Sequence, residues 1–208
     1  MRLATIRHDG RTHAVRVDGD ICVMLDTPDG GTRDVGTWLA QPDWQERAAA
    51  AGGAALSLAD VELLAPVVRP GKIVCVGLNY RTHILEMGRE LPTYPTLFAK
   101  YAEAIIGPTD PIALPPETNA FDWEAELGVV IGGAARRASD AEATAAIAGF
   151  TVVNDITLRD WQSRTLQWLQ GKTFEGTTPV GPVVVTPDEL PGGVRPSLTM
   201  TCSVDGQE

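Results

Sequence analysis

Two carboxylates stand in Glu124-Ala125-Glu126, at the head of the apolar run Leu127 to Ile131. Side chains alternate along a strand, so both glutamates share one face. Two readings fit that spacing: both carboxylates face water, as surface carboxylates commonly do, or they share a counter-charge at a site. Asp155, which follows the apolar run Phe150 to Val153, adds a third carboxylate at a strand end. Three oxygen donors without His or Cys suit a hard divalent cation, Mg²⁺, Mn²⁺ or Ca²⁺, rather than zinc.

Asp155, Arg159 and Gln162 are spaced i, i+4, i+7 and would share one face of a helix. Spacing alone leaves open a surface ion pair between Asp155 and Arg159, worth a few tenths of a kcal/mol. With a cation on Asp155, Arg159 becomes a bidentate partner for a substrate carboxylate. His83 and Glu86, spaced i, i+3, form another such ambiguity. One helical turn would set the carboxylate beside the imidazole and raise its basicity, yet the same pairs occur on inert surface helices.

Other chemistry is set aside. Cys22, Cys75 and Cys202 lie far apart and odd in number, which argues against a disulfide framework, and Cys75 sits within the apolar run Ile73 to Val76. His8 and His13 lack a Cys, Asp or Glu at metal spacing. Gly171-Lys172-Thr173 resembles the end of a phosphate loop, but Leu166 stands where that loop needs its first Gly.

Strands above all must position these groups. Residues 1–65 alternate apolar and polar positions around Gly and Asp turns, predicting a small N-terminal β-meander. Ala48 to Leu58 reads as a short helix or connector. Composition shifts at Pro66 and Pro70, and residues 70–208 read as the main domain. Its strands are expected at Lys72 to Val76, Thr96 to Lys100, Ile112 to Leu114, Glu124 to Ile131, Phe150 to Asn154, Val183 to Val185 and Leu198 to Val204, the last leading into an Asp205-Gly206 turn. A capping box, Ser139 with Glu142, starts one helix. A second is expected from about Ile156 to Gln170, with Leu158, Trp161, Leu166 and Leu169 as its apolar stripe. The fold class is β-rich α+β.

A composition of 44% hydrophobic and 21% charged residues over 208 positions excludes a disordered chain. The net charge of −10 argues against nucleic acid and anionic membrane surfaces as partners. No apolar run is long enough to span a bilayer, and MRLATIRHDG lacks the apolar core of a secretory signal, so a cytoplasmic location is expected.

Taken in order, five segments resemble the fumarylacetoacetate hydrolase family: KIVCVGLNYRTHILEMG (Lys72 to Gly88), PTLFAKYAEAIIGPTDPI (Pro95 to Ile112), DWEAELGVVIG (Asp122 to Gly132), GFTVVNDITLRDWQ (Gly149 to Gln162) and GKTFEGTTPVGP (Gly171 to Pro182). The resemblance implies a mixed β-sandwich roll behind a small N-terminal β domain, and a homodimer. It makes Glu124, Glu126 and Asp155 ligands of Mg²⁺ or Mn²⁺, and Lys172 the active-site lysine. Arg159 and Gln162 become substrate contacts, and His83 with Glu86 a water-activating pair on a lid.

The implied activity is hydrolysis of a carbon–carbon bond in a 2,4-dioxo acid, of the acylpyruvate, fumarylpyruvate or fumarylacetoacetate type, through a metal-stabilised enolate. Alternatives are isomerisation or decarboxylation of 2-oxo or 2-hydroxy-dienedioate acids, oxaloacetate included, and a catalytically silent metal-binding homologue. The family's Gly- and Thr-rich TGTP-type loop has no counterpart, and a returning strand after Asp205-Gly206 is missing, so a C-terminally incomplete catalytic domain is expected.

Overall fold

The computed structural model describes residues 1–25 and 33–208. Alternating apolar residues form β1 (Arg2–His8), β2 (Arg11–Asp18) and β3 (Ile21–Met24). Asp9 and Gly10, both at positive φ, close the first hairpin, the geometry whose twist suits a two-residue connection. Two short helices follow, α1 (Val35–Leu39) and α2 (Trp44–Ala50), then β4 (Ala55–Ser57) and β5 (Glu62–Leu64). The helix read near Ala48 thus begins earlier, and part of the following stretch is strand.

The remainder contains β6 (Ile73–Gly77), α3 (Arg81–Glu86), β7 (Thr96–Lys100), β8 (Ile105–Ile106), β9 (Phe121–Asp122), β10 (Ala125–Ile131), α4 (Asp140–Ala145) and β11 (Ile147–Asn154). It continues with β12 (Thr157–Leu158), α5 (Arg159–Gln162), α6 (Leu169–Lys172), β13 (Thr178–Pro179) and β14 (Val184–Val185). Ser139 and Glu142 make the expected capping box at α4. The chain is a β-rich α+β protein.

The main sheet runs β10-β11-β14-β1-β2-β3-β4, with β5 also paired to β1. β14 is the joint: Val185 pairs with Arg2 on one side and with Phe150 on the other. A Cβ at Gly149 would stand 2.4 Å from the Val185 carbonyl oxygen, so a side chain there would drive the two strands apart. One core cluster accordingly mixes Leu3, Ala14, Trp38 and Leu39 with Ala148 and Val184. Burial of each large apolar side chain contributes roughly 1.5–3 kcal/mol. On β10, Leu127, Val129 and Ile131 form an exposed row, on the face opposite Glu124 and Glu126 by strand alternation.

Three expected elements differ. The long helix after Asp155 does not form. Ile156, Thr157 and Leu158 are all buried, which leaves no polar face for a surface helix, and Thr157 and Leu158 pair with Asp122 and Phe121 instead. Helical structure is confined to α5 and α6, and Leu166 is fully exposed between them. Ile112 to Leu114 forms no strand; it lies between Pro111 and Pro115, which lack the amide hydrogen a ladder needs. Residues 196–203 join no ladder either, although an isolated Val204–Gln207 bridge closes the Asp205-Gly206 turn.

Candidate active site

The ends of β10 and β11 bring the carboxylates together. The Asp155 amide donates to the Glu124 carbonyl at 2.9 Å, and the Glu124 amide donates to Asn154 Oδ1 at 3.2 Å. Lys172, the last residue of α6, reaches into this corner. Its Nζ donates to Glu124 Oε2 at 2.7 Å and to Asp155 Oδ2 at 2.9 Å, with the side chain only 2% exposed. The Phe98 ring lies below, its centroid 5.0 Å from Nζ. Gly171 lets α6 approach: a Cβ there would stand 2.4 Å from the Gln162 backbone nitrogen.

Arg159 extends the network outward. Its Nη1 lies 2.6 Å from Glu124 Oε1 and donates to Gln162 Oε1 at 3.1 Å, and its Nε donates to Asp122 Oδ2 at 2.8 Å. Arg159 and Gln162 meet within α5, but the helix face expected to join them to Asp155 does not form, and Arg159 pairs with Asp122 and Glu124 rather than with Asp155. The cation on Asp155 beside Lys172 is Lys100, at the end of β7. Its Nζ is 2.8 Å from Asp155 Oδ1. Burial pushes the Lys100 ammonium below its ordinary pKa, against the attraction of Asp155.

Glu126 is differently placed. Among the described residues its recorded polar contact is the Tyr80 hydroxyl, which donates to Oε2 at 3.2 Å. Burial pushes its carboxyl up; the Tyr80 hydrogen bond opposes this, and Glu124 and Asp155 add to it. The Cys75 thiol, pushed up to about 12 chiefly by burial, also senses Asp155.

No group of three or more His, Cys, Asp or Glu side chains is gathered around one point among the described residues; Glu124 and Asp155 are occupied by Lys172, Lys100 and Arg159. The donor chemistry nevertheless fits a hard cation. All three groups are carboxylates, Glu124 and Asp155 meet on one ammonium, and Glu126 senses the charge of both.

The second expected pair stands apart. His83 lines the same cleft as Glu124, Glu126, Asp155, Arg159, Gln162 and Lys172. Glu86 is not among the residues lining it, and lies 3.9 Å from His83 Nδ1 with both side chains mostly exposed. That separation exceeds a hydrogen bond.

Sequence reasoning missed Lys100, Tyr80 and Asp122. Lys100 carried a signal: the chain has three lysines against fourteen arginines, and this one ends an apolar strand where a charge needs a partner.

A strand-rich roll with a lysine clamped between two strand-end carboxylates defines the class. The chain belongs to the fumarylacetoacetate hydrolase family: residues 72–208 match the family described as "Fumarylacetoacetate (FAA) hydrolase C-terminal", and residues 1–66 match "Rv2993c-like, N-terminal". It is 44% identical over 163 residues to the human mitochondrial oxaloacetate tautomerase FAHD2A, covering 77% of this chain and 51% of that protein.

Among solved structures, it is similar to the fumarylacetoacetate hydrolase of Exiguobacterium antarcticum, with TM-score 0.73, 32% identity, and 90% and 67% of the two chains covered. It is also similar to the 2-hydroxyhepta-2,4-diene-1,7-dioate isomerase of Mycobacterium marinum, with TM-score 0.66, 31% identity, and 89% and 66% covered. The chain spans about half the length of the curated relatives it matches. No helix among the described residues is long and apolar enough to cross a membrane.

Proposed function

We propose that this chain serves an isomerase-type enzyme that interconverts 2-oxo acids with their enols, with Mg²⁺ or Mn²⁺ as cofactor and oxaloacetate-like diacids as substrates. The observation that carries the reading is the Lys172 ammonium, buried and shared by Glu124 and Asp155. An ammonium has three donors, and two are engaged, which leaves one for an oxygen on which charge develops. A preoriented donor in a water-poor corner stabilises such charge strongly. Arg159, braced through Nε and Nη1 by Asp122, Glu124 and Gln162, keeps Nη2 as a donor for a substrate carboxylate. Glu124, Glu126 and Asp155 would hold the divalent cation, which when bound offsets the negative charge of an enolate and its neighbouring carboxylate.

The oxaloacetate tautomerase and isomerase names among the relatives support this reading, as does the open His83–Glu86 pair; the similar structure named a hydrolase supports the other. The hydrolase remains the second reading because His83 lines the cleft. The exposed row Leu127, Val129 and Ile131 favours burial against another surface, so a homodimer belongs to the same proposal; sedimentation velocity tests it.

The deciding experiment sets the purified chain with Mg²⁺ against the enol of oxaloacetate and against an acylpyruvate. Faster loss of enol absorbance, suppressed by a chelator, is the expected result. Acylpyruvate cleavage without enol conversion would replace this reading with the hydrolase.

A further inference from the structure

The three carboxylates of the site are not equally supplied with positive charge. Glu124 takes Lys172 and Arg159, and Asp155 takes Lys100 and Lys172. Glu126 has no ion pair recorded among the described residues; its one recorded hydrogen bond comes from the Tyr80 hydroxyl, at 3.2 Å to Oε2. A hydroxyl donates to a carboxylate without bringing a charge of its own. Glu126 is therefore the member of the set that is held in place without a resident cation.

Tyr80 reaches it from 46 residues away along the chain, out of the connection between β6 and α3. That connection contains Leu78 at φ +53, a region that a bulky side chain enters only under strain, and strain of this kind persists where the surroundings fix the backbone at functional sites. Tyr80 follows in extended conformation at the head of α3, whose one buried residue is Ile84. Among the described residues, the Tyr80–Glu126 hydrogen bond is the recorded polar tie between the start of this helix and β10.

We infer that Tyr80 is a positioning residue for the divalent cation: its hydroxyl fixes the Glu126 side chain while leaving that carboxylate's charge for the ion. The inference rests on the cation part of the reading above and not on its substrate. Groups that orient a metal ligand from behind typically carry about 10–100-fold in metal affinity. A lysine or arginine in place of Tyr80 would orient Glu126 equally well but would compete with the ion for its charge.

Mn²⁺ alone, titrated into the substrate-free chain with the free ion read by electron paramagnetic resonance, tests this. Tyr80→Phe removes the hydroxyl and keeps the ring; it should weaken Mn²⁺ binding by about tenfold or more, with the urea midpoint of the metal-free chain unchanged. Ile84→Ala loosens α3 but keeps the hydroxyl, and should retain most of the parent affinity. A smaller loss in Tyr80→Phe overturns the inference. So does a loss accompanied by a fallen urea midpoint, or one that Ile84→Ala matches, since either is what a merely structural role predicts.

Enol turnover is measured separately. A parent that binds Mn²⁺ with the expected dependence on Tyr80 but converts no enol supports the role of Tyr80 and removes the 2-oxo acid reading alone. Enol conversion by a parent whose Mn²⁺ affinity Tyr80→Phe leaves intact overturns the role of Tyr80 alone. A parent that binds no Mn²⁺ overturns that role together with the cofactor, and turnover then decides the substrate by itself.

Discussion

The amide of Asp155 donates to the carbonyl of Glu124 at 2.9 Å, so two carboxylates from separate strands are tied through the main chain. Their side chains then diverge just enough for one ammonium, that of Lys172, to reach both. The site is thus built on strand ends, with the cation delivered from a short helix. Each part can be disturbed by itself.

Gly171→Ala attacks the helix. The new methyl would stand 2.4 Å from the Gln162 nitrogen and 2.7 Å from the Leu158 carbonyl oxygen, contacts that only backbone movement relieves. Overpacking of this kind costs about 1–3 kcal/mol. Urea melts should show that loss, and enol turnover should fall further than stability alone explains, because Lys172 moves with the helix.

Lys172→Met leaves Glu124 to Arg159 and Asp155 to Lys100. Removing one partner of a buried ion pair destabilises by about 3–5 kcal/mol where the remaining charge is unpaired. Here other cations remain, so a loss at or below the lower end of that range is expected in urea melts, with enol turnover abolished. Undiminished turnover would remove Lys172 from the chemistry.

His83→Ala separates the two functional readings. Glu86 does not close on His83, and the enolate step as proposed does not use the imidazole. Enol conversion by the variant should stay near the parent rate, while any acylpyruvate hydrolysis should disappear. Equal loss of both activities would place His83 in the common step.

The cysteines give a pH test. Burial raises the thiols of Cys22 and Cys75, the latter to about 12, whereas Cys202 is exposed. The thiolate is the reactive form, and raising the pKa removes it at neutral pH. Iodoacetamide at about pH 8 should therefore label Cys202 first, with Cys75 catching up only as pH rises toward its own value or as the chain unfolds. Peptide mass spectrometry reads the order.

Much of the site was legible because its residues sit at the ends of strongly patterned strands. Glu124, Glu126 and Asp155 follow from apolar runs whose period is unmistakable, and alternation put the two glutamates on one face. What failed was local periodicity between Asp155 and Gln170. A helical stripe can be traced through Leu158, Trp161, Leu166 and Leu169, but continuous burial of Ile156 to Leu158 and pairing with β9 outweighed it. That pairing is nonlocal, so no window of sequence contains it. Lys100 escaped for the same reason: its partner lies on another strand, far along the chain.

The joint at β14 has a consequence in time. β1 finds β2 across a two-residue turn, but its other edge near Arg2 and Leu3 waits for Val184 and Val185. β5 covers Thr5 to Arg7 on that edge, but a growing chain must carry Arg2 and Leu3 unpaired there until residue 185 has been made, and pairings so distant in sequence are slow to form. The strand that delivers Asp155 gains its β14 neighbour in the same event, so completion of the first strand and of the carboxylate corner is one step.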